Sequence, residues 1–558
     1  MSAAPLSLFP SDGLDWIRWP VDRFLDALEG LTEEEVGDAL YVRCRSDLGL
    51  FGALYCGERL PLPYNAFHLD VISREKRKWE EREQIQRVAD AAPRGNAKST
   101  LESYISLIHD AVYGLEIFVG LISTTYDLSE DLVSDLHAAF TQRDQHDALH
   151  AAYGPFRVVG GKTDFTVHVP GQDPRGTRFS AYSFGGSIRG SKHAGVRFSK
   201  IVIDDGEHPE KVRSPTQRGK TWDYLTKDIL KAGDRFTVYR VVGTVLHPDS
   251  MLSRLLSNGP GGLGWRSTRW QSVIQWPTNA DLWRECRELW SDLTDPHRED
   301  TARRYYLRNR AAMDAGASVL WPQKESLYDL QLMLWTDGAA SFNSEKQNEA
   351  TDPERQIFYP ERWRRCTFDG VTITTSTGRP VHLSTCEVAV WLDPRASEQA
   401  SRRDFSALAV AARDSHGYVY LLSVDMRRDD VNSQIGRLWA AYDIYTGRAR
   451  YGYEDNGFQV LMGSEFERIR EERQREGRSY ACHLQGHTST KNKIDRIASL
   501  APRLDNGWIE VVDTIPADVV EQFRQIPTGA HDDGPDAAER AIWLVDGGGS
   551  ARASLGIR

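Results

Sequence analysis

The chain has 558 residues, too many for a single hydrophobic core, so two or more domains are expected. Hydrophobic residues make up 40% and charged residues 27%, and no run of about 18 apolar residues could span a bilayer. With 69 basic against 80 acidic side chains the net charge is −11, which excludes a uniformly basic nucleic-acid coat but permits a local basic groove.

The opening MSAAPLSLFPSDGLDW lacks a basic segment followed by an apolar stretch, so a soluble, cytoplasmic protein is expected. Six cysteines are scattered without a CxxC pair, which argues against a zinc or disulfide framework. Residues 1–70 mix short helical stretches with proline-rich turns and form an accessory segment without a legible motif. From there to about residue 250 the pattern alternates. Strands are expected at 84–91, 116–123, 200–204 and 236–243, with helices at 98–113 and 128–140. Such alternation predicts an α/β domain, 71–355, with a mostly parallel sheet. Trp-rich helical material fills roughly 265–350. The turn-rich stretch TFDGVTITTSTGRPVHLST marks a linker, 356–385. Beyond it, EVAVWLD, FSALAVAA and YVYLLSV form an antiparallel meander that opens a second domain, 386–558.

AAPRGNAKST, residues 91–100, lies between a strand and a helix. A phosphate-binding loop needs small residues so that backbone N–H groups can face the phosphates, then a lysine and a hydroxyl for Mg²⁺. Arg94, Gly95, Asn96, Ala97, Lys98, Ser99 and Thr100 are the candidate ATP ligands. Ala92 and Ala97 stand where GxxxxGK[ST] has glycine. About a hundred residues later KIVIDDGE ends a strand in carboxylates. Asp204 is placed to share Mg²⁺ with Ser99, and either Asp205 or Glu207 to polarise the attacking water. Gly243 and Thr244, ending the next strand, are candidates for sensing the γ-phosphate and coupling its loss to motion.

GGSIRGSKHAGVRFSKIVIDDGEHPEKVRSPTQRGKTWDY, with Arg189-Gly190 and the Ser214-Pro215-x-x-Arg218 helix start, resembles the second ATPase motif of phage terminase large subunits. Arg94, Gly95, Lys98 and Ser99 match that family's Arg-Gly-x-Gly-Lys-Ser loop, and Ala97 departs from it. The resemblance implies an ASCE-type P-loop ATPase, with Arg94 implicated in hydrolysis, joined to an RNase H-like nuclease.

RNase H-type chemistry needs carboxylates converging on two divalent ions about 4 Å apart. Asp393 ends EVAVWLD, Glu454 ends RARYGYE, and Asp532 and Asp533 precede a C-terminal helix in GAHDDGPDAAERAIW. The terminase resemblance carries Asp393, Glu454 and one of Asp532 or Asp533 over as metal ligands, with Asp404 and Asp536 ranked as supports. Lys491, Lys493, Arg496, Arg448 and Arg450 are placed near DNA phosphates.

The resemblance implies ATP and Mg²⁺ as cofactors, with Mn²⁺ possible at the nuclease site. It implies double-stranded DNA, a portal protein and a small terminase subunit as partners, and no membrane. It further implies a monomer in isolation that forms a ring on the portal, acting in the host cytoplasm and absent from the mature virion. Competing classes are a helicase-nuclease of repair, which needs further motor motifs, a transposase or resolvase without an ATPase, and a degenerate P-loop scaffold.

Overall fold

The computed structural model describes residues 20–80, 87–257, 264–350, 356–394, 405–445, 449–454, 459–479, 481–489 and 492–548. They divide into two compact units. The first comprises Met1–Pro277, Gly316–Leu334 and Ala339–Asp352, and the second Thr278–Ala315, Trp335–Gly338 and Pro353–Arg558.

Strands of the first unit are β1 (Arg87–Ala91), β2 (Phe118–Ser123), β3 (Arg157–Gly161), β4 (Asp164–His168), β5 (Thr177–Ser183), β6 (Phe198–Asp204), β7 (Gly233–Gly243) and β8 (Arg266–Arg269). A separate ribbon pairs β9 (Val273–Gln275) with β10 (Ser318–Val319). The main sheet runs β3-β4-β5-β2-β6-β7-β1-β8 and is parallel from β5 to β8, with β3 and β4 added antiparallel at one edge. Interior parallel strands are covered on both faces, which is why FVGLIS in β2 is buried at every position. One strand, β7, separates the phosphate-loop strand β1 from the carboxylate strand β6. That insertion is the ASCE-type arrangement expected for the domain.

Residues 20–70 are no appendage to this unit. Phe24, Phe51 and Phe67 are fully buried in the same core as Leu101, Ile105 and Val112 of the helix after the phosphate loop. Phe51 stacks edge-on against His109, and His109 Nε2 meets the Cys44 carbonyl at 3.0 Å. The sequence hides this because short helices without a strong apolar stripe gain their stability from docking rather than from propensity.

The second unit holds β11 (Arg365–Phe368), β12 (Thr372–Thr374), β13 (Pro380–His382), β14 (Glu387–Asp393), β15 (Ser406–Arg413), β16 (Val419–Arg427), β17 (Ala449–Glu454), β18 (Leu484–His487) and β19 (Ile509–Val512). Its sheet order is β13-β12-β11-β19-β16-β15-β14-β17-β18. The antiparallel meander β14-β15-β16 and the parallel neighbours β17 and β18 beside β14 make the RNase H-like core. Residues 356–385, expected as a linker, instead contribute three strands, because β11 pairs parallel to β19. Helices Ala280–Ser291 and Arg298–Met313, expected within the first domain, also lie in this unit. Trp290 packs on Trp508 at 5.1 Å, and Trp508 Nε1 donates to the Ser291 carbonyl at 2.8 Å. Apolar side chains so anchored override sequence adjacency. Among the described residues no helix is long and apolar enough to cross a membrane.

Candidate active sites

The phosphate loop leaves the buried end of β1 and turns at Gly95 (φ 84°) and Ala97 (φ 53°). Ala97 thus adopts a left-handed conformation that favours glycine and costs an L-residue about 1–2 kcal/mol. The departure from the glycine pattern keeps the glycine backbone. Three successive carbonyls of the loop are held from outside, and the fourth accepts the first bond of the following helix. Lys346 Nζ donates to Arg94 O at 3.0 Å, Lys324 Nζ to Gly95 O, His68 Nε2 to Asn96 O at 2.8 Å, and the Leu101 amide to Ala97 O at 3.0 Å. In a peptide unit the C=O and the following N–H point opposite ways. Carbonyls held outward therefore turn amides inward, as phosphate binding requires.

His68 comes from the helix Ala66–Glu80. Its Nδ1 accepts from the Asn65 amide at 3.2 Å, while Asn65 Nδ2 donates to Asn96 Oδ1 at 3.1 Å. Burial, opposed by the Asn96 hydrogen bond, brings the imidazole down to about 4, so it is neutral at physiological pH. The same helix is anchored by Arg74, buried and 2.6 Å from Asp90 of β1.

Past the loop, Lys98 is buried and its ammonium lies 3.5 Å from Asp205. Ser99 Oγ donates to Asp204 Oδ1 at 2.9 Å, and Ser103 Oγ to Asp204 Oδ2 at 2.6 Å. Ser99 and Ser103 are one helical turn apart, so both hydroxyls reach the end of β6. Burial first, then the adjacent Asp205, raise Asp204 to about 6, against the two serine hydrogen bonds. A buried carboxyl so raised fits a site built to receive a cation.

The two base candidates are now distinguishable. Glu207 caps the helix Met251–Leu256, with Oε1 accepting from the Met251 amide at 2.7 Å and Oε2 from the Leu252 amide at 3.0 Å. Asp205 is half-exposed and faces Lys98, in a positive-φ turn (45°) held by its amide bond to Val242 O. Gly243 stands beside it, and a Cβ there would meet Asp205 Oδ1 at 3.2 Å. The Gly243 carbonyl also accepts from the Ala92 amide at 3.1 Å, so the end of β7 touches both loop and carboxylate. A cavity of about 330 Å³ opens here, lined by Arg94, Lys98, Asp205, Glu207, Gly243 and Thr244 among others. Arg94 is largely exposed, 3.6 Å from Glu345. Thr100 begins the helix after the loop.

In the second unit β14 and β17 run parallel with Leu392 opposite Tyr453, so Asp393 and Glu454 emerge side by side at their C-terminal ends. The third member is Asp536, not Asp532 or Asp533. Among the described residues, Asp393, Glu454 and Asp536 bring one ligand atom each within 4.8 Å of one another. The helix begins at Asp533, and Asp536, one turn in, is buried against the strand ends. Asp532 precedes the helix and is bound by Lys493 at 2.8 Å. Asp533 stays near enough to contribute to the raised Asp393, whose carboxyl burial and then Asp536 push well above the usual range. Glu454 is raised by the same two causes in the same order.

Two of the basic residues expected at DNA phosphates are paired with acids of the carboxylate cluster. Lys493 contacts Asp536 at 3.0 Å as well as Asp532, and Arg496 bridges Asp536, at 2.9 Å, and Glu539. Like charges converging at the strand ends draw in these cations. Arg450 lies toward the opposite end of β17, where Nη1 donates to the Leu544 carbonyl at 3.4 Å. Lys491, Arg448 and Asp404 lie outside the described residues. Sequence reasoning missed Ser103, His68, Lys324 and Lys346. Only Ser103, four residues after Ser99 in a helix, left a periodic signal.

Several solved structures align with the chain. The chain is similar to phage large terminases. A large terminase from a thermophilic bacteriophage shares 9% identity, covering 87% of this chain and 99% of that one at a TM-score of 0.43. The HK97 bacteriophage large terminase shares 13%, covering 88% and 100% at 0.29. The human cytomegalovirus terminase nuclease domain shares 12%, covering 28% and 82% at 0.23. No protein-family model and no curated protein matches the chain. At such identities and scores the superpositions are loose, and the functional reading rests on the geometry.

Proposed function

We propose that this chain is a large terminase subunit, which uses ATP hydrolysis to drive double-stranded phage DNA into a procapsid and cuts concatemeric DNA with a metal-dependent nuclease. The observation that carries the reading is one chain with two separately formed acidic sites. In one unit Ser99 and Ser103 converge on Asp204 behind a braced phosphate loop. In the other, three carboxylates meet at the ends of β14, β17 and a helix.

In the first site Lys98 neutralises the β and γ phosphates, Ser99 and Asp204 hold Mg²⁺, and Asp205 accepts a proton from the attacking water. Glu207, committed to capping, positions the turn. Loss of the γ-phosphate reaches Gly243 and Thr244, and Arg94, on exchanging its Glu345 partner, approaches the phosphates from the rim. In the second site Asp393, Glu454 and Asp536 hold Mg²⁺ or Mn²⁺. A bound metal would supply an activated water and charge stabilisation for the leaving 3′ oxygen, hydrolysis giving a 5′ phosphate and a 3′ hydroxyl. Two raised carboxyls, Asp393 and Glu454, converging with the buried Asp536 fit a divalent ion. The portal, the small subunit and a ring on the portal are the partners this reading requires, in the infected host's cytoplasm.

The test is plasmid cleavage in Mg²⁺ or Mn²⁺ with ATP turnover measured in the same tubes. Lys98→Ala is expected to lose turnover and keep cutting, and Asp393→Ala the reverse. Turnover surviving Lys98→Ala would show the loop misassigned, and cutting surviving Asp393→Ala would remove the nuclease centre.

A further inference from the structure

RNase H-type cleavage is usually written with two divalent ions sharing a bridging carboxylate. Here the space beside Asp536 already holds a positive charge. Lys493 Nζ lies 3.0 Å from Asp536 Oδ2 and 2.8 Å from Asp532 Oδ1. The other oxygen of Asp536, Oδ1, receives Arg496 at 2.9 Å, and Arg496 is committed further to Glu539. Asp536 is buried, whereas Lys493 remains about one-third exposed, 37% by side chain. Lys493 is therefore the partner in this pair that reaches solvent, while Asp536 does not.

Its placement is built rather than incidental. Lys493 is the first residue of the helix Lys493–Ala498, whose preceding Asn492 caps it by accepting from the Ile494 and Asp495 amides. Arg496, three residues on, lies on the same helical face, so one short helix delivers both cations to one carboxylate. Asp393 and Glu454 have no such partner among the ion pairs of the described residues, and with Asp536 they leave one set of ligand atoms together.

We propose that Lys493 serves as the second cation of this centre. A single divalent ion is held by Asp393, Glu454 and Asp536, and the ammonium, fixed by Asp532 and Asp536, stands where a second ion would be. There it offers charge and N–H donors to an oxygen of the scissile phosphate, with no bond made or broken at nitrogen. A lysine is a compact point charge with three donors, suited to that task. The inference rests on the nuclease reading above.

The experiment is equilibrium dialysis of the full, nucleotide-free chain against Mn²⁺, counting ions per chain in wild type, Lys493→Met and Asp393→Asn. Wild type is expected to hold one ion more than Asp393→Asn, and Lys493→Met to hold two more, because the vacated position then takes metal. The Mn²⁺ dependence of cleavage steepens in parallel, from first order to second. Lys493→Arg, which keeps the charge, keeps the wild-type count, and Lys493→Gln replaces the Met variant should that one not fold. If wild type already holds two ions more than Asp393→Asn, and neutralising Lys493 adds none, the lysine proposal is overturned while the nuclease centre stands. If Asp393→Asn holds as many ions as wild type, the metal centre itself is wrong.

Discussion

His68 Nε2 donates to the main-chain carbonyl of Asn96 across 2.8 Å, so a residue from before the phosphate-loop strand shapes the phosphate loop. Together with Lys324 and Lys346 it braces a loop that lacks two of the usual glycines.

His68→Leu keeps side-chain volume and removes the donor, leaving a buried carbonyl unpaired at a cost of about 1–3 kcal/mol. ATP affinity is expected to fall about tenfold, equivalent to about 1.4 kcal/mol, in a fluorescent-nucleotide titration. The pH dependence has a definite sign. The imidazole falls from 6.5 to about 4 on folding, so below about 6.5 the unfolded chain binds the extra proton. Stability present above pH 6.5 is lost as pH falls toward 4, by roughly 3 kcal/mol from this group. Denaturant melts across that window are expected to show the deficit of His68→Leu shrinking as pH falls. A deficit that stays constant would mean that His68 is already charged in the fold.

Ser103→Ala removes one of the two hydroxyls that oppose the raised Asp204. Losing about 1 kcal/mol of hydrogen bonding raises that carboxyl by roughly 0.7 pH unit. The proton then competes better with Mg²⁺. The acid limb of kcat/KM for ATP, expected near pH 6 in wild type, moves upward in the variant. An unshifted limb would assign it to another group.

Asp536→Asn and Asp533→Asn separate the two readings of the acidic helix start. Asp536 shares the ligand cluster with Asp393 and Glu454, whereas Asp533 lies outside that cluster and raises Asp393 by its charge. Cutting is expected to fall at least about a hundredfold in Asp536→Asn, a loss of about 2.7 kcal/mol of transition-state stabilisation, and far less in Asp533→Asn. The reverse order, in a plasmid-nicking time course, would restore Asp533 as the ligand.

Gly452 of β17 lies opposite Trp391, and a Cβ there would fall 2.6 Å from the buried indole ring. Gly452→Ala therefore forces β17 away from β14, costing about 1–3 kcal/mol. Glu454 is two residues further along, so cutting is expected to weaken with stability while ATP turnover persists. Chemical denaturation and the cleavage assay read the two effects. Wild-type stability in the variant would show that the indole yields.

Both clusters of side chains were largely legible from strand ends. Apolar runs that stop at a carboxylate placed Asp204 and Asp393, and lysine-serine after a tight turn placed Lys98 and Ser99, because these patterns are local. Asp536 was ranked only as a support because Asp532 and Asp533 stand out in the string of letters. Helix geometry decides otherwise, since a side chain one turn inside faces the sheet while one before the first turn does not. Lys493 and Arg496 read as surface cations for the same reason, as sequence does not show which acids a helix will meet.

By itself the sequence determined that strands alternate with helices, that a meander follows, and that a lysine-serine turn and carboxylates lie at their ends. Those features depend on periodicity and on residue type, which a single chain carries locally. Only the tertiary structure decided that residues 20–70 brace the phosphate loop, that 278–315 and 356–385 build the second unit, and that Asp205 rather than Glu207 faces Lys98. Each depends on contacts between residues far apart in the chain, and long-range burial and hydrogen bonding outweigh the weak local preferences of those segments.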